Sequence, residues 1–193
     1  YTYNVRGGVF ANAQTGNGVL MSQNFMAQNW HSGLDYLLPL VSFAVGIVIA
    51  EQIENKFKNS KSIHWRQIII IAEIVMLCAV GFIPAELNKI ANIAVSFVCA
   101  MQVQTFRKVH GYAYSSTMCI GNLRSGTESL SQYFRNKDRA SLNKAFHFFG
   151  IILIFAIGAG FGGVLSAELD IRTIWISPLI LTIIVFIMMR ENI

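Results

Sequence analysis

The chain has 193 residues, of which 54% are hydrophobic and 13% charged, with a net charge of +5. Water-soluble domains carry about a quarter charged residues, so this is the composition of a membrane protein, read here as one domain over residues 1–193. The basic excess sits in blocks between apolar runs, without aromatic interleaving, which argues against a nucleic-acid partner and for the loops of a protein in a lipid bilayer.

"YTYNVRGG", residues 1–8, has no basic n-region, apolar h-region or cleavage site, so it is not a signal peptide. It reads as the tail of an earlier helix, and the chain is expected to be an N-terminal fragment lacking most of that helix. "VFANAQTGN" follows at 9–17, with Asn12, Gln14, Thr15, Gly16 and Asn17 packed into a short stretch. Such residues make a poor core, and they are expected to form a broken or re-entrant segment. Gly16 would supply unusual backbone angles, and Thr15 or Asn17 would cap the helix that follows.

Five apolar runs come next: 37–53, 68–83, 87–106, 145–165 and 173–189. Each is near the roughly 20 residues needed to cross a bilayer. Twelve of the fifteen basic residues lie in 54–66, in 107–144 and at Arg190, whereas the links 84–89 and 166–172 carry only Lys89 and Arg172. The positive-inside rule places the first group in the cytoplasm and the two links outside, with a cytoplasmic C-terminus. The expected location is the bacterial cytoplasmic membrane. "GYAYSSTMCIGNLRSG", residues 111–126, then starts and ends on the cytoplasmic side. It either stays there or dips into the membrane and returns.

The chain also repeats. "TGN" at 15–17 meets "IGN" at 120–122, and the same offset of 105 residues carries the first run onto the fourth and the second onto the fifth. The expected fold is an all-α polytopic membrane protein of two inverted three-helix repeats, residues 1–84 and 87–193. Each repeat holds a Gly-Asn segment.

The chemistry-bearing residues follow from this plan. Asn12, Gln14, Thr15, Gly16, Asn17, Thr117, Gly121 and Asn122 would line a site for a small polar or anionic solute where the two segments meet. Gln102 and Gln104, at the inner end of the third run, would join them or bond between helices. Glu73 is the only acidic residue well inside a run, and an intramembrane carboxyl points to ion coupling. Pro178 takes the corresponding place in the fifth run and would kink it. His147 would sit near the inner interface. Gly158 and Gly162 form a GxxxG pair suited to close helix packing, within the chain or in a homodimer. Cys78, Cys99 and Cys119 lack metal-ligand spacing. No metal, cofactor or catalytic residue is expected, since GxSxG, HExxH and Walker A patterns are absent.

"YTYNVRGGVFANAQTGN" and "AMQVQTFRKVHGYAYSSTMCIGNLRSG" resemble the two signatures of the YoaK-like family of uncharacterised bacterial inner-membrane proteins, which carry a domain of unknown function. The resemblance implies a membrane location over essentially the whole chain. It also implies a Gly-Gly pair and an aspartate ahead of Tyr1. The second turn, Ile120-Gly121-Asn122, departs from the family's Thr-Gly. The expected activity is movement of a small solute. The alternative is a non-transporting interaction protein that works through its basic 107–144 segment.

Overall fold

The structure, a computed structural model, describes residues 1–59, 64–109, 112–113 and 118–190. Their regular secondary structure is helical except for a two-residue antiparallel pair, β1 (Lys108–Val109) and β2 (Tyr112–Ala113), in which Lys108 pairs with Ala113. They divide into two compact units, Tyr1–Thr105 with Gly163–Ile193, and Phe106–Gly162.

The first unit begins with a short helix, α1 (Thr2–Val5), and two glycines at positive φ, Gly7 and Gly8. These turn the chain toward α2 (Gln14–Met26). A turn with Gln28 in the left-handed region separates α2 from the long α3 (Trp30–Phe57). So short a link makes the two helices antiparallel neighbours, and the Phe25 ring lies directly against Gly33.

Helix α4 (Trp65–Val80) starts with a reciprocal cap. His64 Nδ1 accepts from Arg66 N–H at 3.2 Å, and Gln67 Oε1 accepts from His64 N–H at 3.3 Å. The ring must be neutral to accept, and its burial, then the neighbouring Arg66, hold its pKa below the usual histidine value. A 3-10 turn, Ala85–Leu87, leads into α5 (Asn88–Thr105), and a second, Asp170–Trp175, into α8 (Ile176–Arg190).

Helices α3 and α5 form the closest pair in this unit. A Cβ on Gly46 would stand 2.6 Å from the Phe97 carbonyl oxygen and 2.8 Å from Ala100 Cβ, so only glycine permits the approach. Ser42 Oγ also donates across the pair to the Ile93 carbonyl at 2.8 Å. Gly46→Val is expected to push α3 off α5 and cost about 2 kcal/mol, the ordinary penalty of overpacking. The melting curve of the purified protein checks it; a wild-type midpoint would contradict the contact. Ala11, Leu77, Val80, Ala91, Val95, Val98 and Ile174 form one buried cluster, and Ala50, Trp65, Ile69 and Met101 another.

In the second unit, α6 (Cys119–Asn136) is joined to α7 (Arg139–Leu169) by a turn in which Lys137 takes a left-handed conformation. Asp138 caps α7. Its carboxyl accepts from Ala140 N–H, Ser141 N–H and Ser141 Oγ, and those hydrogen bonds hold it below the usual carboxylate range.

All five apolar runs fall mainly within helices. Among the described residues two helical stretches are long and apolar enough to cross a membrane, Trp30–Phe57 and Arg139–Arg190. In the second stretch only 6% of the most apolar window is buried, and Ile154, Phe161, Leu179 and Phe186 are each more than half exposed. The second run is carried by α4, which starts and ends three residues earlier than the run and has the same 16 residues, about 24 Å at 1.5 Å per residue. The third run is diluted by Asn88, Asn92, Ser96, Gln102 and Gln104.

Candidate functional site

The first unit organises its polar groups around three features, of which the first is Arg6. This side chain is fully buried, and all five of its N–H bonds are used. Nε donates to Tyr1 Oη at 2.8 Å, Nη1 to the Pro84 carbonyl and to Asn88 Oδ1, and Nη2 to the Val80 and Ile83 carbonyls. Three of these acceptors are carbonyls at and just beyond the C-terminus of α4. There the helix leaves carbonyls without intrahelical partners and carries partial negative charge. Arg6 therefore acts as a cation that closes α4. Asn92 Nδ2 donates in turn to the Arg6 carbonyl at 2.9 Å.

Asn17 is the second feature. It is fully buried on the first turn of α2. Its Oδ1 accepts from Phe10 N–H at 3.1 Å and its Nδ2 donates to the Phe10 carbonyl at 2.6 Å. The side chain thus serves both backbone groups of Phe10, as a neighbouring strand would. Nδ2 also donates to Gln14 Oε1 at 2.8 Å, and Gln14 Nε2 donates to the Ala11 carbonyl. The 9–17 stretch is accordingly held by its own polar residues. The capping expected of Thr15 or Asn17 is not formed: Ala13 occupies the cap position without a side-chain bond, and Thr15 is exposed. Gly16 is an ordinary helical residue, and what it provides is room, since a Cβ there would meet the Phe10 ring at 3.1 Å. Asn12 is half-buried beside this loop.

The third feature lies between α4 and α5. Glu73 is 1% exposed. With its amide nitrogen turned toward the carboxyl, Gln102 donates to Glu73 Oε1 at 3.1 Å and Oε2 at 2.6 Å. The other orientation would set oxygen against oxygen. Gln104 is two residues further along α5, roughly 200° around the helix, and so cannot join this pair. Cys99 lies one turn before Gln102 on the same helix.

A polar cavity of about 370 Å³ adjoins the Arg6 feature. Its wall includes Arg6, Asp35, Glu86, Asn88, Lys89 and Asn92. Lys89 Nζ pairs with Asp35 Oδ1 at 2.7 Å and lies 2.8 Å from His31 Nε2. The fold thus places both signs of charge around one opening, drawn from residues that the sequence pattern did not mark. Their one shared trait is position, since Asp35, Glu86 and Lys89 all border apolar runs on the side poor in basic residues.

In the second unit Asn122 is 3% exposed, on the first turn of α6, as Asn17 is on α2. Gly121 is an ordinary helical residue with open space around it, so neither Gly-Asn glycine uses a special backbone angle. Gly126 lies against Phe148 and Phe149 of α7, where a Cβ would meet ring and Cβ atoms at 3.2 Å. Thr117 lies outside the described residues. A Cβ on Gly158 or Gly162 would meet no described atom within 4 Å, so the GxxxG face makes no close helix contact there. Pro178 is the third residue of α8, where a missing N–H breaks no intrahelical bond, so the position does not require the kink expected of a proline further inside a helix. Among the described residues no group of three His, Cys, Asp or Glu side chains could hold a metal ion.

The described residues thus define an all-helical protein with two stretches able to cross a membrane, a buried carboxyl–carboxamide pair and a polar cavity. The family model described as "Protein of unknown function (DUF1275)" matches residues 1–187. The chain belongs to that family, which includes the YoaK-like proteins that its two signatures resemble. No curated protein and no solved structure matches the chain.

Proposed function

We propose that the protein is a multi-pass transporter or permease of the bacterial cytoplasmic membrane that moves a small polar or anionic solute, with Glu73 as its coupling residue. The observation that carries this reading is the buried Glu73–Gln102 pair: a carboxyl at 1% exposure in a helix as apolar as α4, held by a neutral amide. Ionisable groups at such depth are costly, and function is the usual reason to retain one.

The helix order supports an inverted-repeat plan. At an offset of 105 residues, Gln14, the start of α2, falls on Cys119, the start of α6, and α3 and α4 fall on α7 and α8. In each half a shorter helix carrying Gly-Asn in its first turn is followed by a long apolar one. The contact of Gly126 with Phe148 and Phe149 runs α6 back along α7. Asn122 then lies one turn, about 6 Å, further along α7 into its apolar run. Such placement suits a re-entrant segment, the element from which many secondary transporters build their sites. The five apolar helices, with basic residues gathered in the loops 54–66 and 107–144 and at Arg190, support five spans with the C-terminus in the cytoplasm. On that orientation the cavity at Arg6 and Lys89 opens outward. Asn12, Gln14 and Asn17 would shape the first segment rather than contact solute, and Gln102 and Glu73 remain the inner polar groups of the first unit.

Glu73→Gln is expected to reduce solute uptake by proteoliposomes at least tenfold while the melting temperature stays within about 2 °C, since an amide fills the same volume. Normal uptake by the variant would remove the coupling role. It would also favour the second reading, a membrane interaction protein working through α6. That helix exposes Ile120, Leu123 and Phe134 beside the exposed Arg124 and Arg135, a pattern suited to an anionic lipid surface.

A further inference from the structure

A line of polar side chains runs along α5 from the cavity to the carboxyl, and the transport reading leaves it without a role. Asn92, on the cavity wall, is 4% exposed, and its Oδ1 has no hydrogen-bond partner among the described residues. One turn deeper Ser96 is fully buried, and its Oγ likewise lacks a partner there. Cys99 follows at the next turn of the same helix. Gln102 then binds Glu73 directly.

The spacings of four, three and three residues keep these groups on one side of the helix. The line covers about 15 Å at 1.5 Å per residue. Ala91 and Val98 border it on one side and Ala100 on the other, and Val95 sits within it between Asn92 and Cys99. A buried polar atom without a partner costs about 1–3 kcal/mol, and buried polar groups are satisfied in the great majority of cases. Two such atoms in successive turns, leading from a cavity to a carboxyl, suit a file of water held by Asn92 Oδ1 and Ser96 Oγ.

We propose that Glu73 is a proton-binding site reached from the cavity along the Asn92–Ser96–Cys99 edge of α5, so that the coupling ion is H⁺. The proton leaves water in the cavity, passes along the file by hydrogen-bond exchange and ends on a Glu73 carboxylate oxygen. Release reverses the order, and no bond other than O–H is made or broken. Gln102 is the polar group that α5 brings to Glu73, with Cys99 one turn before it. Among the described residues no ion pair joins Glu73 to α3, α8 or the turn before α8. A metal cation would need several oxygen ligands at this point, whereas the carboxyl has a single amide beside it.

This inference rests on the coupling role proposed for Glu73. The test is infrared hydrogen–deuterium exchange on the full chain in proteoliposomes, with the protonated carboxyl band assigned by its loss in Glu73→Gln. The wild-type band is expected to shift within the mixing time when the buffer is changed to D2O. Ser96→Val and Ser96→Ala are expected to slow that shift at least tenfold, while Ser96→Thr, which keeps a hydroxyl, exchanges as the wild type does. Wild-type exchange rates in both Ser96→Val and Ser96→Ala, or no Glu73 band at any pH from 5 to 9, would overturn the proposal. Uptake by the same vesicles separates the two readings. Lost uptake in Glu73→Gln with unchanged exchange in the Ser96 variants removes the path alone. Normal uptake in Glu73→Gln with slowed exchange in those variants removes the transport reading alone.

Discussion

Arg6→Lys is expected to lower the melting temperature of the detergent-solubilised protein by about 10 °C. All five guanidinium N–H bonds are engaged, with Tyr1 Oη, Asn88 Oδ1 and three carbonyls at or near the end of α4. A lysine ammonium has three N–H bonds on a single atom and cannot reach acceptors spread across a planar fork. At least two buried acceptors would lose their partners, at about 1–3 kcal/mol each. For a chain of this size each kcal/mol lowers the midpoint by roughly 2–4 °C. Arg6→Met should be worse, because it leaves every acceptor unpaired and removes the positive charge from a helix C-terminus. Fluorescence-detected thermal melting decides the matter: a lysine variant that melts within 2 °C of wild type would mean that Arg6 does not hold α4.

Asn17→Ala is expected to cost about 3 kcal/mol, near 8 °C in the same measurement. Alanine removes both bonds to Phe10, leaving its N–H and C=O without that partner, and frees the Gln14 amide that Asn17 orders. Asn17→Asp should not rescue the fold. A carboxylate keeps the acceptor for Phe10 N–H but sets negative charge against the Phe10 carbonyl and Gln14 Oε1, both acceptors themselves. A residue whose only task was to bind solute would behave differently, with uptake lost in the alanine variant and its melting curve unchanged. That outcome would return Asn17 to the solute site.

These two residues mark the division between pattern and packing. Asn17 stood out in the sequence because "ANAQTGN" interrupts an apolar chain, yet the pattern held no information about which groups its amide would meet. Its partner is the backbone of Phe10, and backbone acceptors leave no trace in side-chain identity. Arg6 was invisible for the same reason. It is a lone cation in a short polar stretch, without a carboxylate at any helical spacing, and its partners are mostly carbonyls nearly 80 residues away. Gly16 and Pro178 show the reverse error. Their residue types are read for backbone freedom and kinking, but both are set within helices at places where neither property is called on.

Apolar run lengths, basic loops and a single carboxyl well inside an apolar run follow from composition along the chain, since burial in lipid or protein demands such runs wherever they fold. Accordingly the sequence by itself determined the helical class, the places of the five apolar helices, the family, and Glu73 and Gln102 as separate polar residues of note. Only the tertiary structure decided that Gln102 meets Glu73 while Gln104 does not, that Asp35 and Lys89 close a cavity beside Arg6, and that Asn92 and Ser96 line up toward the carboxyl. Each of these depends on the rotation of α5 about its axis against α3 and α4. That rotation is set by close packing at Gly46 and by the fit of many side chains together, which no local run of residues encodes.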